Sequence, residues 1–218
     1  MLPEGIGGLG MERGMPKSFV VRRCARLCVI LLALVSGCVT ERDKISAMED
    51  VSSAFRVEYE HILAEDGTHT YDVSRDEAFE ALRVAFGRLG MQLADQSPDL
   101  GYLSVYAPAP MPLTRDEWRQ AAQADLPKMR EIAAHHVGLL SWFVAFEPEG
   151  LNIVVNATAI KVRGGTAISL TMRMRETAPP KSGYPRREYA PPTGVRMGLR
   201  KIWTAIELEL PPSSRRVP

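Results

Sequence analysis

The sequence predicts an α+β fold, an antiparallel sheet with helices packed on one of its faces. Three observations predict it. Residues 151–176 hold two long alternating runs joined at Arg163-Gly164-Gly165, the pattern of a half-buried β-hairpin. Ser74-Arg-Asp-Glu77 and Thr114-Arg-Asp-Glu117 are capping boxes, and each opens a helix. Val195, Leu199, Ile202 and Ile206 recur at i, i+4, i+7 and i+11, which marks an amphipathic helix near the C-terminus. With 218 residues, 45% of them hydrophobic, the chain can bury one full core.

Residues 44–65 carry two patterns. Ile45, Met48, Phe55, Tyr59 and Ile62 roughly follow a helical stripe, whereas Phe55-Arg56-Val57-Glu58-Tyr59-Glu60 alternates as a strand does. The strand is the preferred reading for 55–63. Asp66-Gly67 then turns into a strand over Thr68–Val73. From Ser74 a helix carries Phe79, Leu82, Phe86 and Leu89 on one stripe, and Gly90 closes it as a left-handed cap. Met91–Asp95 and Gly101–Ala107 read as strands around a Ser-Pro-Asp turn. Three prolines in 107–113 break the pattern. The second capping box opens a helix through Trp118 towards Ala124, which Pro127 interrupts or follows with a short helix over 127–135.

Leu139–Phe146 (LLSWFVAF) reads as a buried strand, and Glu147–Gly150 as a turn. In the hairpin strands Leu151–Val162 and Thr166–Glu176, Ile168, Leu170, Met172 and Met174 face the core. Ser169, Thr171, Arg173 and Arg175 face water. Residues 178–194 form a Pro-rich loop, Pro211 stops the last helix, and 211–218 fray. A single α+β domain is expected over 55–210.

The N-terminal segment differs in kind. Residues 17–26 are basic, 27–35 (LCVILLALV) are apolar, and Ser36-Gly37 are small. That is the pattern of a secretory signal over 1–37. The apolar run is shorter than the roughly 20 residues a spanning helix needs. Met15 fits as the start of such a signal, which leaves 1–14 as an N-terminal extension. The segment also holds five of the 27 Lys and Arg residues and two of the 26 Asp and Glu residues. The rest of the chain therefore carries about −2, which excludes a basic field for nucleic acid. Cys24, Cys28 and Cys38 are the only cysteines, so the body has none for disulfides or metal ligation.

Val35-Ser36-Gly37-Cys38 resembles the lipobox of bacterial lipoproteins. The resemblance implies cleavage before Cys38 and a diacylglyceryl thioether on its sulfur. The residues after it, polar and short of aromatics, suit a flexible linker, which with the lipidated cysteine spans 38–54. Val39 after the cysteine is similar to lipoproteins exported to the outer membrane. Two or more acyl chains, at about 0.8 kcal/mol per buried CH₂, hold a protein stably in a bilayer. The order of elements over 68–210 resembles the helix-grip domains of lipoprotein C of the barrel-assembly machinery. That likeness is of layout and tether, with no motif from which residues carry over.

Nothing in the body announces a reaction. There is no Gly-x-Ser-x-Gly elbow. Adjacent His135 and His136 diverge on a helix, whereas metal ligands share a face. His61 and His69 could meet across a hairpin, and Glu147 and Glu149 flank a turn. Trp118, Trp142 and Trp203 read as core. No cofactor or metal site is expected. The predicted contact surface is the loop with Tyr184, Arg186, Arg187 and Tyr189, residue types that interfaces favour. The alternative site is an apolar cavity between the sheet and the last helix, lined by Phe143, Met172, Met174, Met197 and Trp203. The expectation is a non-enzymatic lipoprotein on the periplasmic face of the outer membrane. Its partners would be membrane lipid, through acylated Cys38, and another envelope protein. The alternative is a carrier or sensor of an apolar ligand.

Overall fold

The computed structural model describes residues 39–146, 148, 150–177, 189–212, 214, 216 and 217. The chain from Thr40 onward is one compact unit. It begins with a long helix, α1 (Glu41–Asp66). Thr40 caps it: the Asp43 amide donates to Thr40 Oγ1, and the Thr40 amide donates to Asp43 Oδ2 at 2.8 Å. This corrects two expectations, the strand over 55–63 and the linker over 38–54. The helical stripe wins because Met48, Val51, Phe55, Tyr59 and Ile62 all bury on one side. The apparent alternation fails because Val57 is 63% exposed.

The remaining elements are β1 (Thr68–Tyr71), α2 (Arg75–Arg88), β2 (Gln92–Ser97), β3 (Tyr102–Pro108), α3 (Arg115–Val137), β4 (Leu151–Val162), β5 (Gly165–Glu176), α4 (Pro192–Glu209) and β6 (Arg216–Val217). Both expected capping boxes form. Helix α3 runs unbroken through Pro127, contrary to expectation. An interior proline costs a hydrogen bond. The helix survives it because Trp118 and Ala121 before it, and Met129, Ala133 and Val137 after it, are all buried.

The sheet is antiparallel in the order β2-β3-β4-β5-β1-β6. Its inner face buries Leu103, Val105, Ile153, Val155, Ile168, Leu170, Met172 and Met174. The helices pack on this face, as the class requires. Helix α2 lies against β3, β4 and β5; α4 packs beside α2 and reaches β5; α1 and α3 pack against each other and against α4. The expected frayed tail is corrected too, since Arg216 and Val217 pair with Tyr71 and Thr70.

Leu139–Phe146 is not a strand. Gly138, at φ 54°, ends α3, and Gly138–Phe143 form a short 3-10 helix. Strands β3 and β5 already occupy both edges of β4, so the sheet has no vacancy there. Trp142 is 67% exposed, which corrects its assignment to the core. Trp118 and Trp203 are buried as expected.

Side chains tie the helices to one another. Helix α4 starts at Pro191-Pro192 without a cap of its own. Asp125 of α3 supplies one, accepting from the Thr193 amide at 2.9 Å and its hydroxyl at 2.8 Å. Burial pushes the Asp125 carboxyl up, against the pull of these bonds. Glu117 serves twice: it accepts from the Thr114 amide at 2.6 Å and from Lys201 Nζ of α4 at 2.7 Å. Those bonds, Lys201 first, hold its carboxyl below the ordinary value of 4.5.

Two glycines give opposite predictions. A Cβ on Gly198 would meet Met172 Sδ at 2.8 Å, whereas one on Gly87 meets nothing within 4 Å. Gly198→Leu is expected to cost about 1–3 kcal/mol by overpacking. Gly87→Ala is expected to add about 0.5–1 kcal/mol by helix propensity. Urea unfolding of each variant checks both. Acid supplies another prediction. Asp43, Glu77 and Glu117 have folded values below their ordinary ones. Their contribution is therefore complete above about pH 4.5 and is lost as pH falls through the folded values. Asp125 acts in the opposite sense. The urea midpoint should be flat from about pH 7 to 5 and drop below pH 4.5, less steeply in Glu117→Gln.

Candidate functional site

The two sites read from the sequence fare differently. In the loop, Tyr184, Arg186 and Arg187 lie outside the described residues, as does Cys38. Tyr189 is described and half-buried, with its ring 5.4 Å from that of Tyr59 on α1. Tyr59 in turn sits by the backbone of Met172 and beside Arg173. Burial pushes its hydroxyl up, and those contacts pull it back. Tyr189 thus packs on the domain.

The residues assigned to a cavity are packing residues, and one is misplaced. Met172, Met174 and Trp203 are buried, Met197 is half-buried, and Phe143 is 78% exposed. Phe143 stands out in water because its segment is the 3-10 helix after α3, away from the sheet ladder. The close approach of Met172 Sδ to Gly198 fills the gap between β5 and α4 at that point. Trp203 donates from Nε1 to the Asp66 carbonyl at 2.7 Å and stacks on His69 at 4.0 Å. A cleft of about 230 Å³ does exist elsewhere, between α1, α3 and the start of α4. Its lining includes Glu58, Asp125, Lys128 and Arg196, which does not suit an apolar ligand.

The histidines separate. His61 pairs with Glu65 on α1 at 3.2 Å, and His136 with Asp50 at 2.8 Å. His69 is buried with Tyr71, whose hydroxyl donates to Glu207 Oε1 at 2.9 Å. Among the described residues, no three His, Cys, Asp or Glu side chains gather closely enough to hold a metal ion. Glu147 and Glu149 lie outside the described residues.

What the strands do assemble is a sheet face that no described helix covers. The described helices lie on the inner side, and strand pairing lines up the outer side chains in rows. One row is Tyr102, Thr158, Ser169 and Thr68. The next is Ser104, Asn156 and Thr171, and the third is Tyr106, Val154 and Arg173. Asn152 and Arg175 follow. Asn156 Oδ1 accepts from Ser104 Oγ at 2.8 Å and Tyr102 Oη at 3.3 Å, and Thr68 and Ser169 hydroxyls meet at 2.9 Å. These bonds fix rotamers before any partner arrives, which lowers the ordering cost of a contact. Tyrosine, serine and asparagine are the side chains that binding surfaces use for contact area and adaptable hydrogen bonds.

The β5 part of this face was visible in the sequence. Ser169, Thr171, Arg173 and Arg175 were expected to face water, and they do. Tyr102, Ser104, Tyr106, Asn152 and Asn156 were missed. Their signal was the same alternation in β3 and β4, but nothing local says which strands become neighbours. The chain matches no family model, no curated protein and no solved structure.

If Trp203 is packing rather than a ligand platform, Trp203→Phe should cost about 1–2 kcal/mol. It removes the bond to Asp66 and leaves that carbonyl short of a donor. Thermal unfolding measures the loss. A variant as stable as the parent would mean the indole N–H has no structural role.

Proposed function

We propose that this protein is a lipid-anchored, periplasm-facing binding or scaffold protein of the bacterial outer membrane, acting by contact with another envelope protein. The observation that carries the contact reading is the sheet face of Tyr102, Tyr106, Asn156, Thr171, Arg173 and Arg175, which no described helix covers and in which Tyr102 and Asn156 are already hydrogen-bonded. The anchoring reading rests on the lipobox-like Val35-Ser36-Gly37-Cys38. Among the described residues no helix is long and apolar enough to cross a membrane. On this reading, attachment falls to the acyl chains on Cys38. Contact is favoured over apolar carriage because Met172 and Gly198 touch where the carried ligand would sit.

Two measurements test the halves separately. Mass spectrometry of protein extracted from its native membranes should find an N-terminal peptide beginning at Cys38 and carrying acyl chains. An unmodified Cys38 inside a longer chain would contradict anchoring. A photo-crosslinking residue placed at Thr171, on the open face, should join one envelope protein in intact cells. The same residue at exposed Glu80 on α2 should not. Equal adducts from both, or none from Thr171, would contradict contact through the sheet.

A further inference from the structure

The segment Val137–Phe146 (VGLLSWFVAF) carries no charge, yet much of it stands in water. Leu139 is 63% exposed, Leu140 37%, Trp142 67% and Phe143 78%. Four large apolar side chains within five residues make a contiguous patch, not scattered exposure. The segment is also pinned. Ser141, Val144 and Phe146 are buried, the Val144 amide donates to the Ser141 carbonyl at 3.0 Å, and Phe146 packs on Trp118 at 5.5 Å. The apolar side chains are thus held outward by a fixed base. The guanidinium of Arg130 lies 5.2 Å from the Trp142 ring. That places a cation beside the aromatic group.

The position of the patch identifies what covers it. Helices α1 and α3 run antiparallel: Asp125 and Lys128 of α3 share a cleft with Ala54 and Glu58 of α1, while His136 pairs with Asp50. The end of α3 therefore lies beside the first half of α1. Asp50 is about 15 Å of helix from Thr40. Cys38 precedes Thr40 by two residues, a reach of about 7 Å. The exposed segment and Thr40, where the described domain begins, thus occupy the same end of the domain.

We propose that Leu139, Leu140, Trp142 and Phe143 form a second membrane contact, inserting into the interfacial layer of the bilayer that holds the acyl chains of Cys38. This rests on the anchoring reading given above. Trp and Phe suit that layer because it takes an apolar ring beside polar headgroups. Arg130 is placed to meet lipid phosphate.

The test uses the full acylated protein, reconstituted into vesicles of phosphatidylethanolamine and phosphatidylglycerol with and without brominated acyl chains. The protein has three tryptophans, and Trp118 and Trp203 are each 4% exposed. Bromine should quench Trp142 selectively, removing about one third of the emission. Trp142→Phe, at an exposed position that leaves the core intact, should abolish that quenching. Vesicle flotation and the mass of the Cys38 peptide are read on the same sample. An acylated protein that floats but shows equal emission in both vesicles overturns the insertion and leaves anchoring standing. Quenching of Trp142 in protein without acylated Cys38 supports insertion and overturns anchoring. Neither signal overturns both.

Discussion

At Asp66 and Gly67 the long helix α1 turns directly into strand β1, and four elements meet at that joint. The Asp66 carbonyl accepts from Trp203 of α4 at 2.7 Å. The Gly67 carbonyl accepts from the Leu170 amide of β5 at 2.8 Å. Two residues on, His69 stacks on the same Trp203. Glycine is required at the turn, because a Cβ on Gly67 would collide with the Leu63 carbonyl. A loop at this point would separate α1 from the sheet. Without one, Tyr59 of α1 sits by the Met172 backbone, on the stretch of β5 beyond its pairing with β1.

The joint explains why the sheet has one covered and one open side. Helix α1 braces α3 and α4, and α4 in turn is held by Asp125 and by contact with Met172. Helices α2 and α4 lie against the inner-face strands, and α1 and α3 pack against each other and against α4. No described helix covers Tyr102 or Tyr106, both half-buried, and Tyr102 and Ser104 already donate to Asn156. The same bracing sets the end of α3 beside the start of α1. The position of the exposed apolar segment is therefore a consequence of helix packing and not of a loose loop.

Several features were legible in the sequence because their cause is local. The capping boxes at Ser74 and Thr114 and the alternation of β5 each depend on residues a few positions apart. Helix α1 was misread although its own signal was present: Thr40-Glu-Arg-Asp43 is a capping box, and a buried stripe follows it. Two periodicities competed over Phe55–Glu60, and only tertiary burial decides between them. Leu139–Phe146 was misread for a different reason. Its composition suits a strand, but β4 had no free edge. Pairing partners, the Asp125 cap on another helix and the assembly of the open face are all long-range, and one sequence does not encode them in any local pattern.

The central claim is that the folded domain begins at Thr40, with a capped helix where a flexible linker was expected. Hydrogen exchange of the protein tests this most directly, read on the amides of Met48–Ile62. Slow exchange, matching that of the buried strands β4 and β5, is the result predicted for a helix that opens only with the whole domain. Exchange as fast as in the solvent-exposed loops would contradict it and restore residues 38–54 as a flexible linker.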